Sequence, residues 1–282
     1  YLETMIRLPS MERACPPCAY SAEEWRGFQV TADVAGIELV PHFNVIGHLE
    51  HVVPVYPELG SEASPGWMDM DPTRPAARAW MLRCLAEFCA ISRSTYFLIG
   101  GDEWQPPKAL LEQPDLDVAA EWVEQVNAAV AFLVARGRTP IVWHDMLLHY
   151  PATLARLSRD AVIAFWFYDE DADYPVLSML REHGFRVLMA SGLISSPGVL
   201  TRRNVRAIET ARRAAEAHRA DGIFVTTWGD CRWEFQRFNM SAVAAVLRGE
   251  PPPPLVDALT LFDIRQRMPL DAELARGVDA VR

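Results

Sequence analysis

Thr95-Tyr96-Phe97-Leu98-Ile99-Gly100-Gly101-Asp102-Glu103-Trp104 is the stretch on which the reading of this chain turns. Its first five residues are β-branched, aromatic or aliphatic and make a buried strand. Two glycines then let the backbone turn sharply and let a ligand come close. Two acids follow at the mouth of that strand. Like charges this close favour one carboxyl keeping its proton near neutral pH, which suits a proton donor. The alternative is a solvated acidic loop. The apolar strand, the glycines and Trp104 around the pair favour a site.

Strand-then-helix units repeat on both sides of this stretch. Upstream, residues 21–35 read as a helix: Ser21 and Glu24 have capping-box spacing, and Gly36 ends it. Residues 37–43 then read as a buried strand, and a long loop runs from Asn44 to about Pro72. Residues 73–90 carry Trp80, Leu82, Leu85 and Phe88 at helical spacing. Downstream, a helix over 117–135 leads to a strand over 140–143 that ends in His144-Asp145. A strand over 161–167 ends in Tyr168-Asp169, and a helix spans 174–183. A strand over 185–190 ends in Ser191-Gly192 and leads to a helix over 202–220. The last strand, 222–227, ends in Trp228-Gly229-Asp230, and a closing helix covers 239–247.

Repeated βα units imply a parallel sheet, and their number favours a (β/α)8 TIM barrel over an open sheet. Leu2-Glu3-Thr4 reads as the end of one more strand, and the first strand is expected upstream of Tyr1. No glycine-rich dinucleotide fingerprint follows any strand. The reading is therefore a barrel domain over residues 1–250, partial at its N-terminus, and a C-terminal tail over 251–282 that starts at Pro251 to Pro254.

The chain has 282 residues, 50% of them hydrophobic, enough for one domain of barrel size. Its net charge of −10 argues against nucleic acid or an anionic membrane as the main partner. No apolar run approaches the ~20 residues of a membrane span. No basic start followed by an apolar stretch is seen, which favours the cytoplasm, but the chain opens on Tyr1 and its natural start is expected upstream. Five cysteines are an odd number in a long chain and not a disulfide framework. Cys15-Pro16-Pro17-Cys18 has redox or metal spacing, but with two prolines inside and no second pair it reads as a rigid loop.

Polar and aromatic residues gather after the strands, on the face where barrels keep their sites. Trp143, Trp166 and Trp228 stand at or near strand ends, and indole faces pack on the apolar faces of sugar rings. The competing reading has some of them filling the interior. His42, His48, His51 and His144 also lie near strand ends, and with Asp102 and Asp145 they raise the possibility of a metal site. No His-x-His or His-Glu-x-x-His spacing supports a metal, so none is assigned and no cofactor is implied. His48 and His144 read instead as partners of the carboxylates, and His149 and His183 as surface or helix-end residues. Asp145 and Glu234 read as ligand contacts because carboxylates accept well from hydroxyls. Glu3, Asp169 and Asp230 fall at strand ends as well, and no role is assigned to them.

At these residues the chain resembles glycoside hydrolase family 20, the β-N-acetylhexosaminidases, and especially a short branch of hexosaminidase D-like enzymes. The resemblance covers about Tyr1 to Leu247. Gly100-Gly101-Asp102-Glu103 is similar to the family's His-x-Gly-Gly-Asp-Glu signature, with Phe97 or Leu98 where many members have histidine. Asn44-Val45-Ile46-Gly47-His48-Leu49-Glu50, Trp143-His144-Asp145-Met146 and Thr227-Trp228-Gly229-Asp230 with Glu234 match in order.

The resemblance implies removal of terminal N-acetylglucosamine or N-acetylgalactosamine by a retaining mechanism in which the sugar's 2-acetamido oxygen is the nucleophile. It casts Asp102 as the residue that holds the acetamido group and Glu103 as the acid and base. Trp143, Trp166 and Trp228 become the pocket wall, Asp145 and Glu234 hydroxyl contacts, and His48 support for the pair. The family's sugar-binding arginine belongs to the strand not present in this chain. Its pocket tyrosine has Tyr168 as candidate, because Tyr168 ends a strand beside Trp166. A non-catalytic carbohydrate-binding barrel and a metal-dependent barrel hydrolase are the alternatives.

Overall fold

Short apolar strands alternate with helices along the chain. The computed structural model describes residues 5–61, 69–170, 174–193, 202–228 and 233–251, without the side chains of 202 and 233–238. Glu3, Asp230, the side chain of Glu234 and residues 252–282 of the tail lie outside the described residues. The chain divides into two compact units, Tyr1–Phe165 with Met179–Val187, and Trp166–Ser178 with Leu188–Arg282.

The first unit begins with α1, Ala22–Val34, whose capping box forms as the sequence indicates: Ser21 Oγ accepts from the Glu24 amide and Glu24 accepts from the Ser21 amide. α2, Pro75–Ile91, buries Trp80, Met81, Cys84, Leu85 and Phe88. Phe88 packs between Phe43 and Phe97 with ring centroids 5.8 and 5.9 Å away. This aromatic stack joins α2 to β1, Tyr96–Leu98. α3, Lys108–Leu111, is a single turn, and α4, Val118–Val134, is capped by Asp117 and buries Trp122 and Gln125 completely.

β2, Thr139–Trp143, pairs in parallel with β1, Phe97 opposite Pro140. β3, Val162–Trp166, pairs in parallel with β2, Val142 opposite Ile163. α5, Asp145–His149, starts directly after β2. Such parallel strands, apolar on both faces, are what helix-covered sheets require.

The second unit holds α6, Pro175–Glu182 in part, most of β4, Arg186–Gly192, then α7, Arg202–Ala217, β5, Gly222–Thr226, and α8, Trp233–Leu247. β4 and β5 are parallel, with Ala190 opposite Phe224. Leu193, Ile208, Ala242 and Val246 form the small core between α7 and α8.

The parallel βα pattern read from the sequence is therefore present, and two elements differ from it. Residues 37–43 make no strand: only His42 bridges Leu98, while Ile37 is 56% exposed. Pro41 has no amide proton for a ladder, so the segment runs beside β1 over one short contact. α8 starts at Trp233, before the residue 239 suggested by apolar spacing. Glu234, Gln236 and Arg237 are good helix formers with no glycine or proline to stop them, and Glu234 falls on the first turn. Among the described residues no helix is long and apolar enough to cross a membrane.

Candidate active site

Two buried side chains of α4 hold the Gly100–Glu103 turn and the segment beside it. Trp122 Nε1 donates to the Gly101 carbonyl at 3.0 Å, and Gln125 Nε2 donates to the Val45 carbonyl at 3.2 Å. Gly100 has φ +65°, and a Cβ there would lie 1.9 Å from Asn44 Oδ1, so no side chain fits. The Asn44–His48 segment is thus packed directly on the turn that delivers the two acids. Gly47 completes the contact: a Cβ on it would meet the Asp102 carbonyl oxygen at 2.5 Å.

Asp102 and Glu103 emerge into opposite environments. Asp102 is 7% exposed, whereas the Glu103 side chain is 56% exposed. Both reach one group: His48 Nε2 is 3.4 Å from Asp102 Oδ2 and 3.4 Å from Glu103 Oε2. Hydrogen bonding to Asp102 and the charges of Asp102 and Glu103 overcome burial and raise the His48 pKa to about 9. At neutral pH it is an imidazolium between two acids and offsets their repulsion.

The backbone carries strain at the same two places. His48 has φ 54° and Glu103 has φ 46°, left-handed values that cost a residue with a Cβ about 1–2 kcal/mol each. Such conformations persist only where the surroundings enforce them. Asp145 Oδ2 accepts the Glu103 amide at 2.7 Å, and Asp69 Oδ2 accepts the Gln105 amide at 2.8 Å. Trp104, between them, is buried and donates from Nε1 to the Met70 carbonyl at 3.2 Å. Burial raises both Asp145 and Asp69 to about 6. His144, also buried, is pushed down to about 4 by desolvation and packs 4.3 Å from the Phe165 ring, so it is neutral at pH 7.

His48, Asp102, Glu103 and Asp145, all indicated by the sequence, thus come together in the first unit. Asp145 sits at the start of α5, with one oxygen on the Glu103 amide and the other, Oδ1, buried without a hydrogen-bond partner among the described residues. Trp143 is 1% exposed and fills the interior of this unit. His42 contacts Asn44 at 3.0 Å, and His51 is exposed. His149 and His183 close the short helices α5 and α6. Among the described residues no cluster of three or more histidines, cysteines or acids is arranged to hold a metal. Cys15 and Cys18 are free thiols.

Trp166, Tyr168 and Trp228 form a cluster of their own in the second unit. The Trp166 and Tyr168 rings stack, 5.5 Å apart and 22° from parallel. Trp228 Nε1 donates to Tyr168 Oη at 3.1 Å, and the Thr226 hydroxyl approaches that oxygen at 3.4 Å. All three rings are half-buried. A Cβ on Gly192 would lie 2.5 Å from Tyr168 Cε1, so the phenol lies flat on that glycine. Asp169 is exposed.

Sequence reasoning did not single out Asp69. Its signal was Asp69-Met70-Asp71, two acids inside an otherwise apolar stretch, where a carboxylate needs a partner to be buried.

The family profile of glycosyl hydrolase family 20, catalytic domain, matches residues 9–195. Among curated proteins, lacto-N-biosidase of Bifidobacterium bifidum is 22% identical over 163 residues, which are 52% of this chain and 14% of that protein. Among solved structures, the exo β-N-acetylglucosaminidase of Vibrio harveyi superimposes with a TM-score of 0.67 at 18% identity, over 86% of this chain and 46% of that one. The N-acetyl-β-hexosaminidase of Streptomyces plicatus gives 0.63 at 17% identity, over 88% and 55%. The chain thus spans a small part of the curated relative and about half of these structures. With well over half of its length matched by the profile, the chain belongs to glycosyl hydrolase family 20.

Proposed function

We propose that this chain is the catalytic part of a β-N-acetylhexosaminidase that removes terminal N-acetylglucosamine or N-acetylgalactosamine with retention, the substrate's acetamido oxygen acting as nucleophile. One observation carries the reading. Two neighbouring acids, one buried and one exposed, share a single cationic histidine at 3.4 Å. Family membership supports it, and so do the described parallel strands, which fit a portion of a (β/α)8 barrel.

The division of labour follows from those environments. Asp102, shielded from water, suits an acetamido N–H and the positive charge that develops when the acetamido oxygen attacks the anomeric carbon. Glu103, open to solvent, suits protonating the departing glycosidic oxygen and then deprotonating the water that opens the cyclic intermediate. The imidazolium of His48 keeps both carboxylates in place without adding net negative charge. Trp166, Tyr168 and Trp228 offer ring faces and a hydroxyl of the kind that stacks on sugars. The burial of Trp143 suits interior support better than a pocket wall.

The test is release of p-nitrophenol from p-nitrophenyl N-acetyl-β-glucosaminide by wild type and Glu103→Gln. A fall of about 100-fold or more is expected when a general acid–base group is removed. Equal rates remove Glu103 from the chemistry. The matching β-glucoside, which lacks the acetamido group, should not turn over, and comparable hydrolysis of it removes substrate assistance.

A further inference from the structure

We propose that Asp69 and Asp145 are positioning residues that clamp the segment 103–105 from two sides and so fix the Glu103 carboxyl beside His48. The proposal rests on the reading of Glu103 as the acid and base. Glu103 lies in left-handed backbone, a conformation its own residue type disfavours. With more than half of its side chain exposed, it has little packing of its own to hold it there.

What holds it is next to it in the chain. The Glu103 amide is taken by Asp145 from the start of α5, and the Gln105 amide by Asp69, which precedes α2 in the chain. Between these two bonds Trp104 is buried and tied to Met70, the residue after Asp69. Asp69 also takes a backbone hydrogen bond from His48, which is left-handed like Glu103. One carboxylate therefore fixes both sides of the His48–Glu103 contact.

The choice of acids here is electrostatically unfavourable, which argues that the acceptor matters. Asp145 faces Asp102 and Glu103, and Asp69 faces Glu50, with His48 as the compensating cation near Asp69. Asp69 is buried and Asp145 half-buried, with pKa values raised to about 6. A site selected only for packing would carry neutral side chains at these positions. Carboxylates instead give the shortest and strongest acceptors for backbone N–H groups.

The experiment uses the whole chain and the p-nitrophenyl substrate. Asp69→Ala and Asp145→Ala are each expected to lower kcat by about tenfold or more with KM changed less than about twofold, since misplacing a catalytic group by ~1 Å is enough. Asp69→Asn and Asp145→Asn, which keep an acceptor oxygen, are expected to recover most of that loss. In a Glu103→Gln background the alanine changes should cost nothing further.

The clamp is overturned if the alanine variants keep wild-type kcat while Glu103→Gln loses it, or if asparagine fails to rescue. If Glu103→Gln itself keeps full activity, the reading of Glu103 fails whatever the aspartate variants do. Should the alanine variants not fold, hydrogen exchange on wild type decides. The Glu103 and Gln105 amides are expected to be protected at least about 100-fold although Glu103 is exposed, and free exchange at either overturns the clamp.

Discussion

Replacing His48 by glutamine removes the only cation within reach of both Asp102 and Glu103 among the described residues, and its effect on stability has a defined pH window. The His48 pKa rises from 6.5 to about 9, chiefly through its hydrogen bond to Asp102. A group whose pKa is higher folded than unfolded stabilises the fold fully below its unfolded value and loses that contribution as pH rises through its folded value. For His48 the stabilisation is complete below pH 6.5 and disappears between 6.5 and about 9. At about 1.4 kcal/mol per pH unit this amounts to on the order of 3 kcal/mol. The side chain is only 12% exposed, so solvent screening takes away little of it.

The assay is urea unfolding of wild type and His48→Gln at pH 6 and pH 9. Cysteine thiols, held above their ordinary range by burial in the fold, titrate near pH 9 once unfolded, but they do so in both proteins and cancel in the comparison. Left-handed backbone at position 48 strains glutamine as it does histidine, and that offset does not vary with pH. Wild type should therefore lose on the order of 3 kcal/mol more than the variant over this range, a midpoint difference of roughly 1 M urea for an m-value near 3 kcal/mol/M. Parallel pH dependences, or an imidazole titrating near 6.5 by NMR, would refute the bridging role of His48.

Gly100→Ala must place a Cβ 1.9 Å from Asn44 Oδ1 at a φ of +65°, and should lower the midpoint of thermal unfolding by several degrees, about 2 kcal/mol or more; an unchanged midpoint would contradict the tight packing of the two loops. Tyr168→Phe removes the oxygen that accepts Trp228 Nε1 at 3.1 Å, and should raise KM for the p-nitrophenyl substrate severalfold with a stability change of only about 1 kcal/mol. An unchanged KM counts against sugar contact at that cluster.

How much of this was legible in the sequence depends on what each feature needs. The capping box of α1, the cap of α4 and the strands β1 to β5 follow from local residue types and from the period of apolar side chains, and these were readable within a few residues. The failed strand at 37–43 had the right hydrophobicity, but its one proline removes a ladder bond, and burial of its first half never occurs. The start of α8 carries no capping residue directly before Trp233, and only the plain helix propensity of residues 233–238 marks it. Asp69 escaped notice because its partners, Gln105 and His48, are neighbours only in space.

The adjacency of Asp102 and Glu103 was plain from the sequence, yet adjacency alone does not explain the site. In an extended chain successive side chains point to opposite faces. Two such neighbours cannot both lie 3.4 Å from one imidazole nitrogen. They do so here because the chain leaves strand geometry at Gly100 and Gly101, with φ of +65° and +88°, and is left-handed again at Glu103. The two glycines advertise the first part of that turn. The second part falls on a residue that disfavours it and is imposed by hydrogen bonds that backbone amides donate to distant aspartates. It follows that substitution at Asp69 or Asp145 disturbs the shared histidine before it disturbs either acid's chemistry, and the contact that should lengthen first is His48 to Glu103, the more exposed of the two.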